Sequence, residues 1–94
     1  MSRPARACPS ELVDAWPDAA STDPVVEAAR QFVINLREAI GASSARSVAR
    51  EAGINHVTVA AILQGRAWAD THTLAKLESS LGVKLWPGAA PPAR

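Results

Sequence analysis

A single cysteine, Cys8, stands in the whole chain. It can make no internal disulfide, so the fold does not depend on an oxidising compartment. No apolar run approaches the length of a membrane span, and the first residues carry no signal-peptide apolar core. The expected location is therefore cytoplasmic, with no membrane partner. Charge is almost balanced, at +1 over 94 residues. That excludes the strongly basic class of chain whose composition alone announces nucleic-acid binding. Catalytic signatures are missing as well. His56 and His72 have no Cys or carboxylate at metal-ligand spacing, Cys8 lies in a Pro- and Ala-rich stretch, and there is no Gly-rich phosphate loop. The expectation is no enzyme, no catalytic residue, no metal and no cofactor.

What is present points to one small helical domain. Nearly half of the residues are apolar, enough for a single core at this length. Residues 1–22 are rich in Pro, Ala and Ser and read as a mobile arm. Residues 23–88 form the domain, and the Ala/Pro-rich 89–94 a disordered tail. Charge divides the same way. Before Val25, Arg3 and Arg6 face four carboxylates, a local net of −2; from Val25 to Gly88 seven Arg or Lys face five Asp or Glu, a net of +2. Within the arm, Ser10 to Trp16 can form one or two helical turns with Ser10 as cap, ending before Pro17. Leu12, Val13 and Trp16 would share a face. That face either folds back over the core or docks another protein chain.

Four helices are legible by their ends. Asp23-Pro24 is an N-cap followed by proline at the first helical position. Val25, Ala29, Phe32, Val33, Leu36 and Ile40 then keep helical spacing as far as Gly41, with Arg30, Arg37 and Glu38 directed elsewhere. Ser43 or Ser44 caps a second helix that buries Val48, Ala49 and Ala52 and leaves Arg46 and Arg50 in solvent. Gly53 supplies a left-handed stop. Asn55 caps a third helix from about His56 to Leu63, with Val59, Ile62 and Leu63 inward. Asp70 caps a fourth, in which Leu74, Leu77 and Leu81 face the core until Gly82. Val83, Leu85 and Trp86 are expected to close the bottom of the bundle. Trp68, between the last two helices, either plugs the gap there or offers its indole N–H to a phosphate. From Ala45 to Gln64 the spacing meets the steric demands of a helix-turn-helix, with small Ala49 at the crossing, Gly53 at the turn and Ile54, Val59 and Ile62 sealing it.

On these residues the chain resembles the helix-turn-helix regulators of the phage-repressor class, the XRE or Cro-like family. Gln64-Gly65-Arg66 resembles that family's amide-Gly-basic end of the recognition helix, Thr73-Leu74 its opening of the next helix, and Leu81-Gly82-Val83 its exit. The resemblance runs from about Phe32 to Leu85. It implies an all-α, lambda-repressor-like bundle of four to five short helices. It also implies phosphate contacts from Arg66, Gln64 and Arg37. Where the family commonly opens the second helix with a phosphate-binding Gln, this chain has Ala45, so that contact moves to Ser44, Arg46 or the helix-start N–H groups.

The outer face of the third helix carries Asn55, His56, Val57, Thr58 and Ala61. An amide, an imidazole, a hydroxyl and small apolar groups suit base edges in a major groove. Asn55 either caps, reads, or does both. The face has no fixed charge, so affinity must come from phosphate contacts elsewhere. The expected function is a sequence-specific DNA-binding regulator, a repressor, on double-stranded DNA. One reading helix touches too few base pairs to select a site alone. Two copies on an inverted repeat are expected, as a weak homodimer strengthened by DNA, because the family's further dimerisation helix has no counterpart here. The alternative is a protein-interaction module of the antitoxin type, partnered through the Leu12/Val13/Trp16 arm.

Overall fold

The computed structural model describes residues 6–90. Four α-helices follow a short 3-10 turn at Pro9–Leu12: α1 Pro24–Ile40, α2 Ala45–Ala52, α3 His56–Leu63 and α4 Thr71–Leu81. No strand occurs among the described residues, and none of the helices there is long and apolar enough to cross a membrane. The fold is the small all-α bundle that the end signals foretell. The expected tail begins at Ala89, and its residues 91–94 lie outside the described residues, as do residues 1–5 of the arm.

Each helix starts on a side chain that takes up a free backbone N–H. Asp23 accepts from Val25, Ser44 (rather than Ser43) from Ser47, Asn55 from Val57 and Asp70 from Thr73. Such caps are each worth about 1 kcal/mol. The helices then bury one shared core of Phe32, Val33, Leu36, Val48, Ala49, Val59, Ile62, Leu77 and Leu85. α2 packs against both α3 and α4, and α1 closes over α3 and the 3-10 turn. Three residues, Gly53 to Asn55, turn the chain between α2 and α3. Gly53 stands at φ 74°, ψ 34°. Its N–H bonds Arg50 and that of Ile54 reaches back to Ala49, so two of the last four carbonyls of α2 are satisfied by the turn itself.

Ala29, Phe32, Val33 and Leu36 of α1 are buried as expected and Ile40 packs against the core, but the first turns of the helix differ. Val25 is exposed and Val26 buried in its place, and Arg30, expected in solvent, is buried. The cause is an ion pair set into the arm. Glu27 receives Arg30 in a two-pronged contact, Nε to Oε1 at 2.8 Å and Nη2 to Oε2 at 2.7 Å. The Ser21 N–H and Gln31 Nε2 also donate to it, each at 2.9 Å. Arg30 Nη1 spends its remaining donor on the Pro17 carbonyl at 2.9 Å. Every hydrogen-bonding group of the buried guanidinium fork that faces the protein therefore meets an acceptor, as a buried charge requires.

Residues 6–22 are thus seated on the bundle, and of the two expectations for the arm's apolar face the one shown is folding back over the core. The anticipated turns from Ser10 to Trp16 are replaced by the 3-10 turn at Pro9–Leu12, entered from Cys8 and left at Val13 in extended conformation. Ser10 does not cap it; its N–H donates instead to the Gly65 carbonyl at 2.9 Å. The tighter turn separates the three apolar residues. Val13 and Trp16 pack inward, and Leu12 is left exposed at 47%. Trp68 is half-buried, and its indole N–H, one candidate donor to a phosphate, goes to the Ala7 carbonyl at 2.9 Å.

At the other end, the chain leaves α4 at Gly82 and Val83 stays exposed, contrary to expectation. It reaches the core only at Leu85. Glu78 accepts the N–H groups of Leu85 and Trp86, and Asn35 Nδ2 donates to the Leu85 carbonyl at 2.9 Å. Trp86 then meets Phe32 edge to face, with ring centroids 6.1 Å apart.

Two tests follow from these contacts. The hydrogen bonds from Arg30, then those from Ser21 and Gln31, hold the Glu27 carboxyl down from the usual 4.5 to about 2. A carboxyl depressed on folding lends stability that is complete above its unfolded value and fades as pH drops toward the folded one. Glu27→Gln should therefore be less stable than the parent at pH 7, with the gap closing between about pH 4.5 and 2. Denaturant melts across that range check it; a gap independent of pH would contradict the ion pair. The second test compares glycines. A Cβ at Gly53 would find only Lys76 Nζ at 3.6 Å, whereas at Gly65 (φ 71°) it would lie 2.7–2.8 Å from Trp16 and Ser10. Gly53→Ala should lose about 1–2 kcal/mol from left-handed strain alone. Gly65→Ala should lose a further 1–3 kcal/mol or so from the forced overlap. Equal losses by thermal melt would mean the arm does not press on Gly65.

Candidate nucleic-acid interface

α3 is an eight-residue helix without a charged side chain. Val59 and Ile62 are fully withdrawn into the core, and Leu63 packs against it. The opposite face is open. Asn55, His56, Val57 and Thr58 are all exposed, and Ala61, one turn on, is half-buried. Val57 stands 58% exposed, among the most exposed large aliphatics described. An apolar side chain so placed gains nothing for the fold, whereas a thymine methyl is one group it can cover. Asn55 is occupied as a cap through Oδ1, which accepts the Val57 N–H at 2.8 Å. Its amide NH₂ remains available to donate, so capping and base contact are compatible.

Four of the five sequence-derived phosphate residues fall into two groups, one at the start of α2 and one just after α3. At the start of α2, Ser44 is exposed and its Oγ accepts the Ser47 N–H at 3.0 Å, which leaves the hydroxyl proton free. Arg46, in the first turn of the helix, extends toward α3 and brings Nη2 to 3.5 Å from His56 Nε2. A cation of α2 and the first residue of α3 are thereby made neighbours. Beyond the C-terminal end of α3, Gln64 Oε1 accepts from Arg66 Nε at 2.7 Å, and both are exposed. That bond orients the guanidinium and leaves its two terminal nitrogens free. Arg37 is exposed in the last turn of α1, and no hydrogen bond among the described residues ties it to either group.

Charge pairing supports the distinction between these cations and Arg30. Among the described residues the one ion pair is Arg30–Glu27. Arg46, Arg50 and Arg66 have no carboxylate within salt-bridge distance there and keep their charge available to an outside anion. The surface thus offers an uncharged hydrogen-bonding stripe on α3 with a cation at each end.

One contact had no signal in the sequence, although its residue, Trp16, was already placed on the arm's apolar face. Trp16 reaches across from the arm and donates Nε1 to the Leu63 carbonyl at 3.1 Å, at the end of α3. Residues 47 apart in the chain meet here, and local spacing carries no information on such a contact. No family model, curated protein or solved structure matches the chain.

Proposed function

We propose that this chain is a sequence-specific DNA-binding regulator of the helix-turn-helix kind, a repressor resembling the XRE or Cro-like family. In this reading α3 lies in the major groove. His56, Val57 and Thr58 contact bases from its N-terminal turn, with Asn55 before them and Ala61 one turn later. Arg46 and Ser44 hold phosphates on one side, Gln64 and Arg66 on the other, and Arg37 adds charge from α1.

The observation that carries the proposal is the open, uncharged N-terminal face of α3 beside cations that have no carboxylate partner among the described residues. Placing polar groups and a bare Val57 on the outside of a helix contributes little to folding. It is what direct readout needs. The antitoxin-type alternative draws less support, because Val13 and Trp16 of the arm are engaged with the chain's own bundle. Since one such helix spans only a few base pairs, two copies occupy an inverted repeat, with half-sites about 34 Å apart along the duplex.

Selection of bound sequences from a random DNA pool tests this directly. The parent should yield an inverted-repeat consensus. His56→Ala and Val57→Ala should each change one position of the half-site and lose about 1–3 kcal/mol on the parent's site. Their melting should stay within about 0.5 kcal/mol of the parent, as expected for exposed positions. An unchanged consensus in both variants would rule out α3 as the reading helix.

A further inference from the structure

The turn that follows α3 is held from two sides. From within, Gln64 N–H bonds Ala60, Gly65 N–H bonds Ile62 and Arg66 N–H bonds Ala61. Those bonds satisfy three of the last four carbonyls of α3. The fourth, at Leu63, is taken by the Trp16 indole. The Ser10 N–H adds a bond to the Gly65 carbonyl, and Ser10 and the Trp16 ring lie so close over Gly65 that no Cβ fits between. Gly65 is consequently buried, although Gln64 and Arg66 on either side of it are exposed. The backbone carrying this pair of side chains is clamped by the arm.

We propose that Trp16, with Ser10 behind it, is a positioning residue for the phosphate contact made by Arg66. The arm is then part of the nucleic-acid interface without touching the nucleic acid, an inference that rests on the DNA-binding reading above. The physical reason is preorganisation. A guanidinium on a long stem loses rotational freedom when it meets a phosphate, and a fixed backbone beneath it lowers that cost. Trp16 bears no charge, so its effect on binding is transmitted through the cation it positions.

That property separates positioning from mere support of the fold. Loss of folded protein lowers affinity at every salt concentration alike, whereas loss of a phosphate contact reduces the number of ions displaced. The experiment uses the full chain, as parent, Trp16→Phe, Arg66→Ala and the double variant, with a mixed-sequence duplex titrated over a range of salt. Arg66→Ala should flatten the salt slope by about one unit. Trp16→Phe, which keeps an aromatic ring and loses the N–H, should weaken binding about three- to tenfold, the equivalent of one hydrogen bond. It should flatten the slope in the same direction despite carrying no charge change, and the double variant should bind no more weakly than Arg66→Ala.

Melts establish that each variant is folded at the assay temperature. Exchange of the Arg66 amide proton should quicken in Trp16→Phe with no DNA present. Additive losses, an unchanged salt slope or an unchanged Arg66 exchange rate would each overturn the positioning role. A parent that fails to hold the duplex at low salt would overturn the interface itself, and that result shows before any substitution is made.

Discussion

An eight-residue helix cannot stand alone in water, and α3 is that short. Everything around it supplies what its own hydrogen bonds cannot. Val59 and Ile62 are sunk completely among the side chains of α1, α2 and α4. Asn55 accepts at its start, and the Gly65 turn with Trp16 accounts for all four carbonyls at its end. With both ends and the inner face provided for, the outer face is free of structural duty. His56, Val57 and Thr58 can then vary without unsettling the bundle, which is the condition for a surface that discriminates between partners.

The arm performs the same service on a larger scale. Its acidic character, evident from composition, is partly explained by Arg30. Asp18 reinforces the charge that Glu27 holds in place, and the Pro17 carbonyl completes the guanidinium's set of acceptors. A buried ion pair of this sort is weak evidence of net stability, but it specifies one arrangement, because an unpaired Arg30 would be costly to bury. Glu78 works likewise at the C-terminal end, where two backbone N–H groups hold its carboxyl below the ordinary range. The described segments on either side of the four helices are each fastened by a carboxylate on a helix: the arm at Ser21 through Glu27 on α1, and Leu85 and Trp86 through Glu78 on α4.

Features that depend on neighbours in sequence were legible, and those that depend on distant residues were not. Asp23, Ser44, Asn55 and Asp70 all act as caps, since a cap joins residues two or three apart. Gly53 adopts the left-handed conformation its position called for. The candidate interface residues are exposed or, for Ala61, half-buried, as helical spacing implied. Arg30 was misplaced because periodicity treats a guanidinium as a surface group, although Glu27 three residues earlier was an available hint of pairing. Folding back over the core was one of the two readings of the arm's apolar face, but where the arm is fastened was not legible. Its anchors are Leu63, Gly65 and Trp68, and contacts across so much chain are created by the fold. Val83 illustrates the limit in miniature: it is apolar, yet Glu78 and Asn35 grip the chain two residues later.

The central claim is that α3 presents its N-terminal face to DNA, between the cations of α2 and of the turn after α3. Amide chemical shifts recorded while a mixed-sequence duplex is added at low salt address it residue by residue. The expected result is a contiguous set of perturbations over Ser44 to Ser47, Asn55 to Ala61 and Gln64 to Arg66, collapsing as salt is raised. Perturbations centred instead on the exposed side of α4 or on Val83 and Lys84, or none at low salt, would contradict it.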